Sequence, residues 1–154
     1  MILACVFLWS IIAYLAISRF VLQAVTVVGP SMHPTLRERQ RLIMHRWLYY
    51  VRDPDRGDIV GIRLPHEKNL VVKRIIGMPL DRVQIVDGAV RVNGRRLEEP
   101  YLSAGTRTRG RALSTNVYRV SAGCYFVLGD NRGISDDSRA FGAVPREWIA
   151  GMVR

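Results

Sequence analysis

The sequence predicts a mainly β protein led by one apolar helix. Three observations point there. An uncharged run opens the chain, short segments rich in β-branched residues follow, and Asp-Gly and Asn-Gly dipeptides punctuate one alternating stretch. With 154 residues, 49% of them hydrophobic, the chain can build one modest domain with a core.

The elements follow in chain order. Met1 to Ser18, "MILACVFLWSIIAYLAIS", carries no charge. As a helix this run spans ~27 Å, close to the ~30 Å of a bilayer core. A cleaved leader would want a basic start and a shorter apolar core. The run therefore predicts a retained transmembrane anchor over residues 1–22, with a β domain over 23–154. Ala24–Val28, Arg41–His45, Asp58–Leu64 and Leu70–Gly77 read as strands. "RVQIVDGAVRVNGRRL", Arg82–Leu97, predicts two successive hairpins, because Asp-Gly and Asn-Gly supply the positive φ of tight turns. Tyr101–Asn116 is polar and basic and reads as a surface loop. "VYRV" and "CYFVLGD" predict another strand pair. Val144–Gly151 predicts a short helix, with Pro145 near its start and Gly151 at its end. "GMVR" predicts a last strand.

Composition narrows the partners. The net charge is +10, and lysine appears only at Lys68 and Lys73 among 23 basic residues. Such a surface is drawn to anionic lipid or nucleic acid. The basic loop Arg107–Arg111 lacks the interleaved aromatics of single-strand nucleic-acid sites. Membrane lipid is therefore expected as a partner and nucleic acid is not. Cys5 and Cys124 imply no disulfide framework, and His33, His45 and His66 are too scattered for a zinc spacing. No metal or cofactor is expected. The acidic loop "GDNRGISDDSRAFG", Gly129–Gly142, fails as a calcium loop because Arg132 falls where a ligand is required.

Two residues invite chemistry. Lys73 lies among Val71, Val72, Ile75 and Ile76. If its strand face points inward, the ammonium is desolvated, its pKa falls, and the neutral amine can act as a general base. Arginine cannot do this, because it stays protonated. The competing reading is an edge-strand lysine that reaches solvent. Lys68 reads as an ordinary loop lysine. Ser31, in "TVVGPSMHPTL", is either a turn residue or a nucleophile, which would need a base and oxyanion donors. Gly29 leaves room for a substrate backbone. His33, two residues on, points elsewhere on an extended chain.

Taken together, "GPSMHPTL", "RGDIV" (Arg56–Val60), "VVKRIIGMPLDRV" (Val71–Val83) and "GDNRGISDDSRAFGAVP" (Gly129–Pro145) resemble, in order and spacing, the bacterial type I signal peptidases. These are membrane-bound Ser/Lys serine proteases, and the mitochondrial inner-membrane peptidases share the pattern. The resemblance implies Ser31 as nucleophile and Lys73 as general base, with Ser135 hydrogen-bonded to the lysine amine. It implies support from Asp130, Asp137 and Arg139, with Arg74 as ion-pair partner of Asp130. Val27, Val28 and Val72 would line pockets for small side chains before the cut, with Gly29 and Met32 beside the substrate. The Ser31 N–H would donate to the oxyanion. Some members carry a serine at the position of Gly29, whose hydroxyl adds a donor that is missing here. The implied protein is a single-pass membrane serine endopeptidase, its catalytic domain on the extracytoplasmic face, removing signal peptides from secreted preproteins. The alternatives are a specialised maturation protease of a secretion or conjugation system, and a non-enzymatic, basic, membrane-tethered β module. The Ser/Lys self-cleaving repressors share the chemistry, but the expected anchor argues against them.

Overall fold

The structure is a computed structural model that describes residues 2–110 and 116–154; within the first helix, side chains are described over residues 5–14. That helix, α1, runs Ile2–Val21. Among the described residues no helix is long and apolar enough to cross a membrane. The expected anchor over 1–22 is thus met as a helix, not as a demonstrated span.

Two sheets follow. The larger has seven strands in the order β1-β2-β11-β3-β4-β9-β10. They are β1 (Leu22–Thr26), β2 (Arg41–His45), β3 (Ile59–Ile62), β4 (Val71–Gly77), β9 (Cys124–Leu128), β10 (Val144–Pro145) and β11 (Ile149–Val153). The smaller sheet has the order β7-β6-β5-β8. It is built from β5 (Arg82–Val86), β6 (Ala89–Val92), β7 (Arg95–Arg96) and β8 (Val117–Arg119). Single-turn helices α2 (Leu48–Val51) and α3 (Ser138–Phe141) were not legible as helices in the sequence. At four residues each, they are too short to show a period.

The meander β5–β6–β7 forms as the dipeptides predict. Asp87 and Gly88 take φ of 54° and 82°, and Asn93 and Gly94 take 52° and 82°. Both central residues of each turn are left-handed, which matches the right-handed twist of the flanking strands. The first strand starts earlier than expected, at Leu22, and ends at Thr26, so Val27 and Val28 lie beyond it.

Two expectations need correction. "VYRV" and "CYFVLGD" do not pair with each other. β8 joins β5, with Val83 opposite Tyr118, while β9 lies between β4 and β10. Burial explains the split: four of the five β9 residues are buried, as suits a central strand, whereas β8 is only half-buried. Nor is Val144–Gly151 a helix. Val144 and Pro145 pair with β9, Arg146–Trp148 make one 3-10 turn, and Ile149 already pairs with Ile62 of β3. Pairing with both β2 and β3 outweighs the weak local helix signal. Of the expected loop Tyr101–Asn116, residues 111–115 lie outside the described residues.

The core has three parts. One holds Val60, Ile62, Ile75 and Val127 on one side of the large sheet. A second joins Val25, Val27, Met32, Leu36, Met44 and Val72, and so packs the Ser31 turn onto the sheet. A third, around Ile76, Val83, Val90 and Phe126, joins the two sheets. Fully burying each such side chain contributes about 1.5–3 kcal/mol.

Where β3 meets β11, Gly61 faces Gly151, and Met44 occupies the space both leave. A Cβ at Gly151 would lie 2.8 Å from Met44 Cγ and 3.0 Å from the His45 carbonyl oxygen. Gly151→Ala should therefore lower stability by about 1–3 kcal/mol, read from the urea midpoint at unchanged slope. An unchanged midpoint would show that Met44 yields freely.

Candidate active site

Lys73 stands near the start of β4, opposite Val60 of β3, and β4 is flanked on both sides by strands. Its six residues from Val72 onward are all buried, and Lys73 is 3% exposed. This removes the edge-lysine reading. Burial holds the amine below the ordinary lysine range. The carboxylates of Asp137, Asp136 and Asp130 pull the other way, while Arg139 adds to the depression. Desolvation wins because Lys73 sits in a sheet interior, whereas these carboxylates act on it without pairing with it.

Ser31 lies in the turn that follows β1. His33 N–H closes the turn on the Pro30 carbonyl, and Leu36 N–H donates to Met32. Met32 is fully buried and pins the turn into the second core. Ser31 and Lys73 line one cavity of about 260 Å³, together with Val27, Val28, Met32 and Val72. Ser31 and Lys73 are not hydrogen-bonded to each other. His33 is exposed and lies outside the cavity lining.

The remaining expected residues form a layer behind the cavity. Arg74 grips Asp130 with two hydrogen bonds, at 2.9 and 2.7 Å. Its guanidinium also lies 3.9 Å from the Tyr101 ring centroid and donates to the Gly57 carbonyl. Thr35, from the Ser31 turn, donates to the same Asp130 carboxylate. Asp137 accepts from the Gly129 N–H at 3.0 Å and pairs with Arg139 at 2.8 Å. Arg139 in turn donates to the carbonyls of Arg132 and Ser135. Ser135 Oγ is buried without a hydrogen-bond partner among the described residues. Gly29 has φ of 78° and open space where a side chain would project, and it does not line the cavity.

Sequence reasoning missed four contributors. The Asn131 N–H donates to the Ser31 carbonyl at 2.9 Å, and its side-chain amide donates to the Pro30 carbonyl. The Ser31 carbonyl is thereby committed, while the Ser31 N–H donates to no acceptor among the described residues. That free N–H can serve a developing oxyanion. Gly129 is the second. A Cβ there would meet Ser135 Oγ at 2.1 Å and the Ser31 carbonyl oxygen at 2.5 Å. Only glycine lets these two segments approach so closely. Arg132, weighed in the sequence only against calcium, is buried and bonded to Glu99 and Thr108, which anchors the loop from the other side. Asp136 lines the cavity itself. The glycine at the head of "GDN" was the one available signal. The others depend on contacts between residues distant in the chain.

Comparison with known proteins finds the chain similar to signal peptidases. A family model described as "Signal peptidase, peptidase S26" matches residues 1–154. A "Probable signal peptidase I-2" of Synechocystis is 38% identical over 148 residues, covering 92% of this chain and 66% of that protein. A "Signal peptidase I" of Bacillus licheniformis is 39% identical over 150 residues, covering 92% of this chain and 80% of that protein. The chain thus spans slightly less than two thirds of the first and four fifths of the second. Among solved structures, a signal peptidase I from Enterococcus faecalis matches with a TM-score of 0.56 at 34% identity, covering 67% of this chain and 98% of that one.

The layer behind the cavity makes a stability prediction. The Asp130 side chain is 0% exposed and that of Arg74 is 10% exposed. Asp130→Asn strands the buried guanidinium and should cost about 3–5 kcal/mol in denaturant unfolding. Replacing both partners, with Arg74→Met and Asp130→Leu, should cost less than the single change. Equal losses would mean that the pair is not coupled.

Proposed function

The chain belongs to the signal peptidase family, peptidase S26, and from that premise we propose that it removes signal peptides from preproteins with Ser31 as nucleophile and Lys73 as general base. The observation that carries this is the shared cavity. It brings a serine with a free backbone N–H together with a lysine whose amine is held toward neutrality by burial.

The chemistry follows from those groups. The neutral Lys73 amine takes the proton from Ser31 Oγ as the oxygen attacks the scissile carbonyl. The Ser31 N–H faces the developing oxyanion. The leaving amine departs with a proton from Lys73, and an ester to Ser31 remains. Lys73 then activates a water that hydrolyses the ester. Val27 and Val72 supply buried apolar walls and Val28 an exposed one, which suits small side chains before the cut.

The substrate path is supported by the sheet. β1 is an edge strand, paired only with β2, and a groove of about 600 Å³ runs between β1 and residues 67–70. An extended segment could add there by main-chain hydrogen bonds. Ser135 is assigned the lysine-orienting role, because its buried hydroxyl is free to take a partner once the site closes. Asp130, Asp137, Arg139 and Arg74 hold the loop.

Residues 5–14 of α1 are exposed throughout, with Val6, Phe7, Leu8, Trp9, Ile11, Ile12 and Tyr14 facing outward. A helix that leaves so much apolar surface uncovered suits lipid. We place α1 in the membrane and the β domain on the extracytoplasmic face, where preproteins emerge.

Incubation with a preprotein in detergent tests the reading. Ser31→Ala and Lys73→Ala should each lower the cleavage rate by at least about a thousandfold, and Lys73→Arg should fail equally. Cleavage by Ser31→Ala at the wild-type rate would sink the assignment, and no cleavage by wild type across several preproteins would favour the binding module or a specialised maturation protease with few substrates. The pH dependence gives a second check. A depressed lysine is neutral above its folded pKa and gains a proton as pH falls through it. Activity, kcat/KM, should therefore rise with pH along an acid limb whose midpoint lies below 10.5. Asp136→Asn removes a carboxylate that favours the ammonium, so it should move that limb to lower pH. A limb unmoved in Asp136→Asn and in Lys73→Ala would assign it to another group.

A further inference from the structure

A second cavity, of about 350 Å³, lies between α2 and the junction of β3 with β11. Arg46, Arg63, Arg146, Tyr49, Tyr50 and Glu147 wall it. Three guanidinium groups here meet one carboxylate. Among the described residues, neither Arg46 nor Arg63 is paired with a carboxylate. Arg146 is held in place instead. It donates to the Tyr49 carbonyl at 2.6 Å, lies 5.3 Å from the Tyr49 ring centroid and only loosely meets the exposed Asp53, at 3.9 Å. The cavity therefore combines one positioned arginine with two uncommitted ones. That set suits a phosphate, whose oxygens accept from guanidinium forks.

Its place in the fold narrows the ligand. Arg46 follows His45, and His45 pairs with Leu22, the first residue after α1. The cavity thus sits at the root of the apolar helix. Arg46 and Tyr50, both on its wall, directly precede Trp47 and Val51 in the chain, and Trp47, Tyr50 and Val51 are all exposed, as are Leu22 and Ile43. Exposed Trp and Tyr beside arginine are the mixture found where proteins meet headgroups. A free phosphate would use the arginines and leave those side chains without a role. A phospholipid uses both.

We propose that this cavity binds the phosphate headgroup of an anionic phospholipid and seats the β domain on the bilayer at the root of α1. The inference rests on the membrane-tethered peptidase described above and supplies the lipid chemistry of its tether. The docked headgroup neutralises Arg46 and Arg63, while Trp47 and Val51 enter the interface beside it. The β domain is then held at one height and orientation, with its cavities turned toward a segment leaving the membrane.

Calorimetric titration tests it with the full chain in neutral detergent micelles. The probes are short-chain phosphatidylglycerol, short-chain phosphatidylcholine and inorganic phosphate. Phosphatidylglycerol should bind at least ~tenfold more tightly than either other probe, and Arg46→Gln/Arg63→Gln should weaken it by at least ~tenfold. The control Arg95→Gln/Arg96→Gln removes the same charge from exposed β7 and should change binding less than ~twofold. Equal weakening in both double variants would overturn the proposal in favour of diffuse charge. Phosphatidylcholine or inorganic phosphate binding as tightly as phosphatidylglycerol would overturn it as well. Should the double variant fail to fold, Arg46→Gln alone carries the test with the same criteria. Preprotein cleavage by wild type in neutral detergent is scored separately. Its absence would count against the peptidase, and an unaltered lipid affinity in the variants would count against the cavity.

Discussion

Three segments that are far apart in the chain converge on one buried carboxylate. Asp130 accepts from Arg74 of β4 through two hydrogen bonds, and from Thr35 of the turn that carries Ser31. Arg74 is the neighbour of Lys73, and Asp130 is the neighbour of both Gly129 and Asn131. The ion pair therefore sets how close the lysine strand comes to the serine turn. Asn131 completes the tie by holding the Ser31 carbonyl. A buried ion pair is weak as a source of net stability, because its desolvation offsets its attraction. Its use here is register: among the described residues it is the ion pair that ties the loop of Gly129–Gly142 to the strand.

The arrangement separates two demands that conflict. The base we propose must lose its proton, and Lys73, on β4 between β3 and β9, is buried. A scaffold must keep its charges, so each of the buried ions Arg74, Asp130, Arg132 and Asp137 has an opposite charge in contact. Among the described residues, Lys73 alone of the buried charged residues near the site has no such contact partner, only carboxylates acting across space. The difference between pairing and proximity is what separates the Lys73 amine from the structural ions. In the cavity beside α2 the logic is reversed. Arg46 is half-buried, Arg63 is exposed, and among the described residues neither is paired with a carboxylate, which is the condition for meeting an anion from outside the chain.

Much of the fold was legible because its signals are local. The Asp-Gly and Asn-Gly turns impose their own backbone angles, and Arg41–His45 alternates as a half-buried strand must. The apolar run became α1. Where pairing depends on distant partners, local patterns misled. β8 and β9 are consecutive and both strand-like, yet they belong to different sheets, because only β9 has apolar residues for both faces. Val144–Gly151 carries helix punctuation but is drawn into strands by β9, β3 and β2. At the site, residue types with distinctive chemistry stood out: a lysine in an arginine-rich chain and a serine between proline and methionine. Asn131 and Gly129 did not, since their roles are a backbone N–H and the lack of a Cβ.

The sequence by itself determined which groups were available: one serine in a rigid turn, one lysine in an apolar strand and an acidic loop. It determined the turns and the apolar helix, because these follow from φ preferences and from hydrophobicity along neighbouring residues. Only the tertiary structure decided that Lys73 is buried, that Ser31 shares its cavity, and that Arg46, Arg63 and Arg146 wall another. Burial and proximity arise from contacts between strands and turns that are separate segments of the chain. No local pattern records them, because the chain reaches them only when its sheets close.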